Sequence, residues 1–270
     1  FDDLEKKNSE LRIANQDLRE LDKLKSNFIS TVSHELRTPL TSIIGYAEML
    51  LEGLAGNLSD DQQNYVGTIL EKGESLLDLI RQVLDLSRIE SGKLVLNKAC
   101  VEPMSVIEKC ISDVLPQAKK RNLDIQVELA PEVAPIVLDA DKLRRVLVNL
   151  LGNAVKFSNE GGVIRITGLV TENVPVGEDR YNVFDVERNN YLSISVIDEG
   201  IGIPKDQVER VFDTFFQVDN SSTREVGGTG LGLSIVRNFV RAHNGKVDVT
   251  SDVGAGTTFT VHFPYVSEEG

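Results

Sequence analysis

Leu4, Leu11 and Leu18 recur every seven residues, and Ala14, Leu21 and Phe28 fill the intervening offset. That is an a/d seam of about three heptads. The apolar rhythm continues through Leu36, Leu40, Ile43, Ile44, Ala47 and Leu51. Residues 2 to about 52 are therefore predicted as one long helix. A single helix cannot bury such a stripe alone, so parallel pairing with a second copy is the expected remedy. Gly53, Gly56 and Asn57 break the pattern, and Ser59 with Gln62 reads as a capping box. A second helix follows with Tyr65, Ile69, Leu76, Leu79, Ile80, Val83, Leu84 and Ile89 as its stripe and Gly92 as its stop. Two antiparallel helices hold too little core by themselves, whereas two copies make a four-helix bundle. On pattern alone this segment is a dimerising coiled coil and no more.

After Gly92 the character changes to α+β. Strands are expected at Leu94–Cys100, Leu123–Leu129, Ile136–Leu138, Val163–Val170, Tyr191–Asp198, Lys246–Ser251 and Thr257–Phe263. Helices are expected at Ser105–Arg121, Asp141–Phe157 and Leu231–His243. Residues 171–190 are polar and turn-rich, a long hairpin loop. A length of 270 residues suits two domains. The net charge of −13 argues against a nucleic-acid binder, which needs a basic footprint. No apolar run reaches the roughly 20 residues that span a bilayer. Cys100 and Cys110 have neither metal-ligand nor C-x-x-C spacing and read as reduced, semi-buried structural residues of a cytoplasmic protein. The chain begins at Phe1 rather than Met, so the expectation is a piece of something longer.

Residues 30–40 interrupt the bland reading of the first helix. His34 is one of three histidines; Glu35 follows it, then Arg37, Thr38 and Pro39. Imidazole titrates near neutrality and can attack a phosphoryl group. Arg37 and Thr38 share a helical face with His34, whereas Glu35 points to the side. Pro39 cannot donate to the carbonyl of Glu35, which predicts a kink just below the histidine.

Four further clusters carry chemistry. Asn149, Asn153 and Lys156 fall on one face of a helix, where amide oxygens suit Mg²⁺ and an amine suits phosphate; the alternative is a solvated polar face. Asp198-Glu199-Gly200-Ile201-Gly202-Ile203-Pro204 ends an apolar strand. Its glycines admit a ligand to the backbone, and its carboxylate can accept from adenine's 6-amino group while guanine's carbonyl would repel it. Gly227, Gly228, Gly230, Leu231 and Gly232 open a helix whose amides suit phosphate oxygens, without Walker A or Rossmann spacing. Residues 205–226, with Phe212, Phe215, Phe216 and Arg224, are either a mobile lid or irregular chain. Taken singly, each cluster also has a purely structural reading, as His243 and His262 do.

The order of these clusters resembles that of the sensor histidine kinases of two-component signalling. His34–Leu40 resembles their H box, Asn149–Ser158 the N box and Asp198–Pro204 the first G box. Val211–Asp219 resembles the F box and Gly227–Leu233 the second G box. The resemblance spans about residues 24–265. It implies a coiled-coil signalling helix over 1–24, a dimerisation and phosphotransfer domain over 25–93, and a catalytic ATP-binding domain over 94–270. The implied fold is α+β in two domains: a dimeric four-helix bundle, then an α/β sandwich of the Bergerat type shared with type II topoisomerases and heat-shock chaperone ATPases. Carried across by position, His34 is the phosphorylated residue, Glu35 its acid–base partner, and Thr38 the residue that places water for dephosphorylating the partner protein. Asn153 ligates Mg²⁺, with Asn149, Lys156 and Arg224 near the phosphates. Phe157 lies against the nucleotide and Asp198 holds adenine. Gly200, Gly202, Ile203, Gly228, Gly230, Leu231 and Gly232 line the ATP site. Many members carry Arg or Lys where Gln217 stands, which shifts a γ-phosphate role from position 217 toward Arg224. The implied activity is ATP-dependent autophosphorylation followed by transfer to an aspartate of a response regulator, in a homodimer whose upstream sensor domain is missing here. Two rivals stay open: an ATPase or phosphatase-biased sensor, and a dimeric scaffold that binds nucleotide without chemistry.

Overall fold

The heptad stripe forms helix α1, Asp2–Leu51, which runs through Pro39 without ending there. A computed structural model describes residues 2–172, 190–218 and 228–265. The chain divides between Leu94 and Val95 into two compact units. In the first, Gly53 and Gly56 adopt positive φ and let α1 turn back. The Ser59 hydroxyl then accepts from the Gln62 amide while the Gln62 side chain accepts from the Ser59 amide. This capping box starts helix α2, Asp60–Glu90. The two helices pack antiparallel on Leu40, Ile80 and Leu84, with Ile29, Ile44 and Leu77 around them. Lys25 and Glu90 meet at 2.9 Å across the far end. This pairing leaves much apolar surface uncovered: Leu21, Leu24, Phe28, Tyr65, Ile69 and Leu76 are all exposed.

The second unit is a two-layer sandwich. Strand β1 (Ala99–Val101) pairs antiparallel with β3 (Ile136–Leu138). Helix α3 (Pro103–Lys120) leads to strand β2 (Asp124–Leu129), and helix α4 (Ala140–Phe157) follows β3. Strands β4 (Val163–Glu172) and β5 (Asn190–Asp198), helix α5 (Gly232–Ala242), and strands β6 (Lys246–Asp252) and β7 (Gly256–Pro264) complete it. The main sheet runs β2-β4-β5-β7-β6, with β2 and β4 parallel and the other neighbours antiparallel. Alternation along the strands sends Ile164, Ile166, Leu192, Ile194, Val196 and Val261 into the core. There they join Ile107, Leu147, Leu150, Leu151, Ile235 and Phe239 of the helices. The opposite face carries hydroxyls, among them the bonded pairs Thr171–Ser193 and Ser195–Thr260.

The elements follow the sequence pattern with one sizeable difference. A strand was expected from Leu94; pairing begins only at Ala99, opposite Leu138. The next position on the partner, Asp139, has already turned to cap α4, and its carboxylate accepts from both Lys142 and Asn97 amides. β4 and β5 pair as far as Glu172 and Asn190, and the loop expected between them lies outside the described residues. Cys110 is buried, which pushes its thiol up to about 12, but Cys100 is exposed rather than semi-buried. Among the described residues no helix is long and apolar enough to cross a membrane.

Candidate functional site

His34 lies in the middle of α1 with its ring in solvent; its side chain is 76% exposed and that of Glu35 77%. The carboxylate expected to point aside swings back, bringing Glu35 Oε1 to 3.8 Å from His34 Nδ1. One turn on, Thr38 Oγ1 donates to the His34 carbonyl at 3.5 Å. Ser33, next in the chain, is buried, so the helix turns its inner face to the hairpin and presents the histidine outward.

The second unit gathers the other clusters around the C-terminal half of α4. Asn149 donates through Nδ2 to the Arg145 carbonyl, which leaves its Oδ1 beside Gly232 at the start of α5. A Cβ on Gly232 would stand 3.0 Å from that oxygen. Asn153 lies one turn further along α4, and among the described residues its amide makes no hydrogen bond. At the next turn, Lys156 sets its ammonium 4.7 Å over the Phe157 ring. The ammonium also crowds Gly228, where a Cβ would lie 2.9 Å from Nζ. Burial lowers the Lys156 pKa.

Asp198 closes β5 at 7% exposure, and its carboxylate accepts from the Gly200 amide at 2.9 Å. Burial pushes its pKa up to about 6, while hydrogen bonds from the Gly200 and Thr257 amides pull the other way. The turn after it demands glycine. A Cβ on Gly200 would run into the Phe157 carbonyl, and Gly202 has φ +68° with the Asp252 carbonyl against it. The Ile201 amide donates to the Phe157 carbonyl at 3.3 Å, and the Ile203 amide donates to Ser251 Oγ at 2.8 Å. The end of α4 and the Asp198 turn are thus stitched together.

The glycine loop meets the aromatic segment. The Phe215 amide donates to the Gly230 carbonyl at 2.9 Å, and Gly230, at φ +68°, lies where a Cβ would strike Phe215. Phe215 itself has φ +64°, a conformation that costs a bulky residue strain. Gln217 donates through Nε2 to the Gly228 carbonyl at 2.8 Å, so this amide clamps the loop. Leu231 is fully buried beneath α5. Arg224 and Gly227 lie outside the described residues.

Asn149, Asn153, Lys156, Phe157, Asp198 and both glycine turns therefore share one region of the second unit, while His34, Glu35 and Thr38 belong to the first. Three contributors had no distinctive sequence signal: Ser251, Thr257 and Arg121, the last half-buried just after α3, where its guanidinium donates to the carbonyls of Val155, Lys156 and Ser158. The two other histidines have local partners. His243 Nε2 accepts from the Asp139 amide, and its Nδ1 bonds the Phe239 carbonyl. His262 bridges Ser193 and Asp248 on the polar sheet face. Among the described residues no group of three or more His, Cys, Asp or Glu side chains could hold a metal ion. An oxygen-seeking cation shared with phosphates needs no such group, and the unengaged Asn153 amide fits that role.

Comparison with known proteins places both units. Residues 24–92 match the family described as "His Kinase A (phospho-acceptor) domain". Residues 138–267 match "Histidine kinase-, DNA gyrase B-, and HSP90-like ATPase". Hybrid signal transduction histidine kinase A of Dictyostelium discoideum is 39% identical over 92% of this chain and 11% of its own length. Sensor histidine kinase WalK of Bacillus subtilis is 36% identical over 92% of this chain and 38% of its own. The chain thus spans a minor part of these curated relatives. Full-length ShkA, solved in complex with AMPPNP, superposes with a TM-score of 0.69 at 30% identity, over 90% of this chain and 47% of that one.

Proposed function

Because this chain belongs to the histidine kinases of two-component signalling, carrying a phospho-acceptor domain followed by a histidine kinase-type ATPase domain, we infer that it transfers the γ-phosphoryl group of ATP to His34 and then to an aspartate of a response regulator. The observation that carries this reading is the pairing, in one chain, of a solvent-facing imidazole beside a carboxylate with glycine turns packed close around Asp198 and Lys156. Adenine's 6-amino group donates to Asp198. Phe157 lies against the nucleotide, and Lys156, Asn149 and the amides of Gly228, Gly230, Leu231 and Gly232 take the phosphates. Asn153 would hold Mg²⁺, which neutralises phosphate charge when bound.

In the transfer, the lone pair on His34 Nε2 forms a bond to the γ-phosphorus as the bond to the β-bridging oxygen breaks and ADP leaves. The imidazolium so formed is stabilised, and can be deprotonated at Nδ1, by Glu35. Catalysis is mostly positioning and charge neutralisation. Thr38 is assigned to placing water when the phosphorylated regulator is hydrolysed. Arg224 is assigned to the γ-phosphate. The division into 1–24, 25–93 and 94–270 belongs to the same reading, as do a homodimeric assembly, a cytoplasmic location and a sensor domain upstream.

His34→Gln tests it. The variant should bind ATP as the parent does and lose all acid-labile, base-stable label from γ-labelled ATP. Label persisting on the variant refutes the assignment. Free phosphate released by the parent without label on protein would favour a plain ATPase instead.

A further inference from the structure

The last four carbonyls of any helix have no partner within it. In α4 these belong to Ala154, Val155, Lys156 and Phe157, and each finds a partner elsewhere. Ala154 accepts from the amide and hydroxyl of Ser158. Phe157 accepts from the Ile201 amide. Val155 and Lys156 are both served by one guanidinium, that of Arg121: its Nη1 donates to the carbonyls of Val155 and Lys156, and its Nη2 donates to that of Ser158 at 2.8 Å. The backbone around Arg121 holds the same segment from its other side. The Arg121 carbonyl accepts from the Gly161 amide, and the Asp124 amide donates to the Gly162 carbonyl. A cation at this end also complements the helix dipole.

The turn so held is the one that carries Lys156 and Phe157. We propose that Arg121, whose guanidinium is given over to the backbone carbonyls of Val155, Lys156 and Ser158, is a positioning residue for the ATP site: its fork fixes the last turn of α4 so that Lys156 meets the Gly228 loop and the Phe157 carbonyl meets the Gly200 turn. Lysine cannot replace it, because a single ammonium cannot span three carbonyls as a planar fork does. This rests on the nucleotide site read above.

The test is a double-mutant cycle in the whole chain, with a non-hydrolysable ATP analogue and Mg²⁺ as the probe and unfolding followed in parallel. Arg121→Ala should weaken binding about tenfold, the size expected of a charged hydrogen-bond donor, and Arg121→Lys should fall between the two. In a Lys156→Ala background the same Arg121 change should cost less, about threefold at most, because one of the two groups it positions is gone and only the Phe157 carbonyl remains. If Arg121→Ala fails to unfold cooperatively, Arg121→Lys carries the cycle with the same comparison. Equal losses in both backgrounds would make Arg121 a general structural cap and overturn the proposal, as would unchanged affinity. Should Lys156→Ala itself bind like the parent, the site reading fails and this proposal with it. Loss at Lys156 without loss at Arg121 overturns this proposal alone.

Discussion

Asp198 works against the stability of the unit it serves. Its carboxyl is buried and its pKa stands at about 6, above the ordinary 3.8. A raised acid pKa means the folded state holds its proton more tightly than the unfolded chain does. Below about pH 4 both states are protonated and nothing is lost; as pH rises through 6, the buried charge costs up to about 3 kcal/mol. On the proposed reading, the adenine 6-amino group is what makes that charge useful. Asp198→Asn should therefore stabilise the nucleotide-free chain at pH 8, with the gain vanishing toward pH 4 in denaturant titrations, while adenine affinity collapses because an amide donor now faces the 6-amino group. A variant no more stable than the parent at pH 8 would show that burial does not dominate at this carboxyl. The residues proposed to carry chemistry stand out in the sequence because their types are costly where they stand: an acid at a strand end, amides on a helix face, glycines in a row. Ser251 was not legible there, since a hydroxyl at such a position is commonplace until the fold aims it; nor was Thr257, which serves Asp198 through a backbone amide that almost any residue would supply.

Among the elements, the hairpin of α1 and α2 shows how a missing side chain sets a distance. Gly73, inside α2, packs against α1 where a Cβ would stand 3.0 Å from Ile44 Cγ1 and 3.9 Å from Leu40 Cδ1. Glycine in a helix interior costs roughly 1 kcal/mol against alanine, so the close approach it permits must repay that. Gly73→Val should overpack this contact and destabilise the helix pair by about 1–3 kcal/mol, read as a shifted midpoint in urea unfolding followed by the helical circular dichroism signal. Unchanged stability would mean that Ile44 moves freely and the approach is not tight. The extents of α1 and α2 could be read from heptads and a capping box, both local signals. The start of β1 could not, because where a strand begins depends on its partner, and here Asp139 leaves the ladder to cap α4.

At the scale of the molecule, the first unit cannot bury its own apolar surface. Phe28, Ile69 and Leu76 are 69%, 50% and 46% exposed, and Ile69 and Leu76 lie seven residues apart on α2. On the proposed pairing of two copies, Ile69→Glu with Leu76→Glu should convert a dimer to a monomer in analytical ultracentrifugation and leave nucleotide affinity of the second unit unchanged. A doubly substituted chain that still sediments as a dimer would move the interface elsewhere. What the sequence determined by itself was periodic or compositional: the long helix, the two-domain division, the alternating strands, the residue types that suit phosphate and adenine. Such signals are short in range, for they depend on 3.6- and 2-residue repeats and on single side-chain chemistries. What only the tertiary structure decided was who meets whom. The strand order β2-β4-β5-β7-β6, the close fit of Gly228 to Lys156 and of Gly200 to Phe157, and the hold of Arg121 on α4 join residues far apart in the chain. Such contacts exist only once the core has packed, because hydrophobic burial drives collapse without direction, and geometry alone then selects which polar groups find partners.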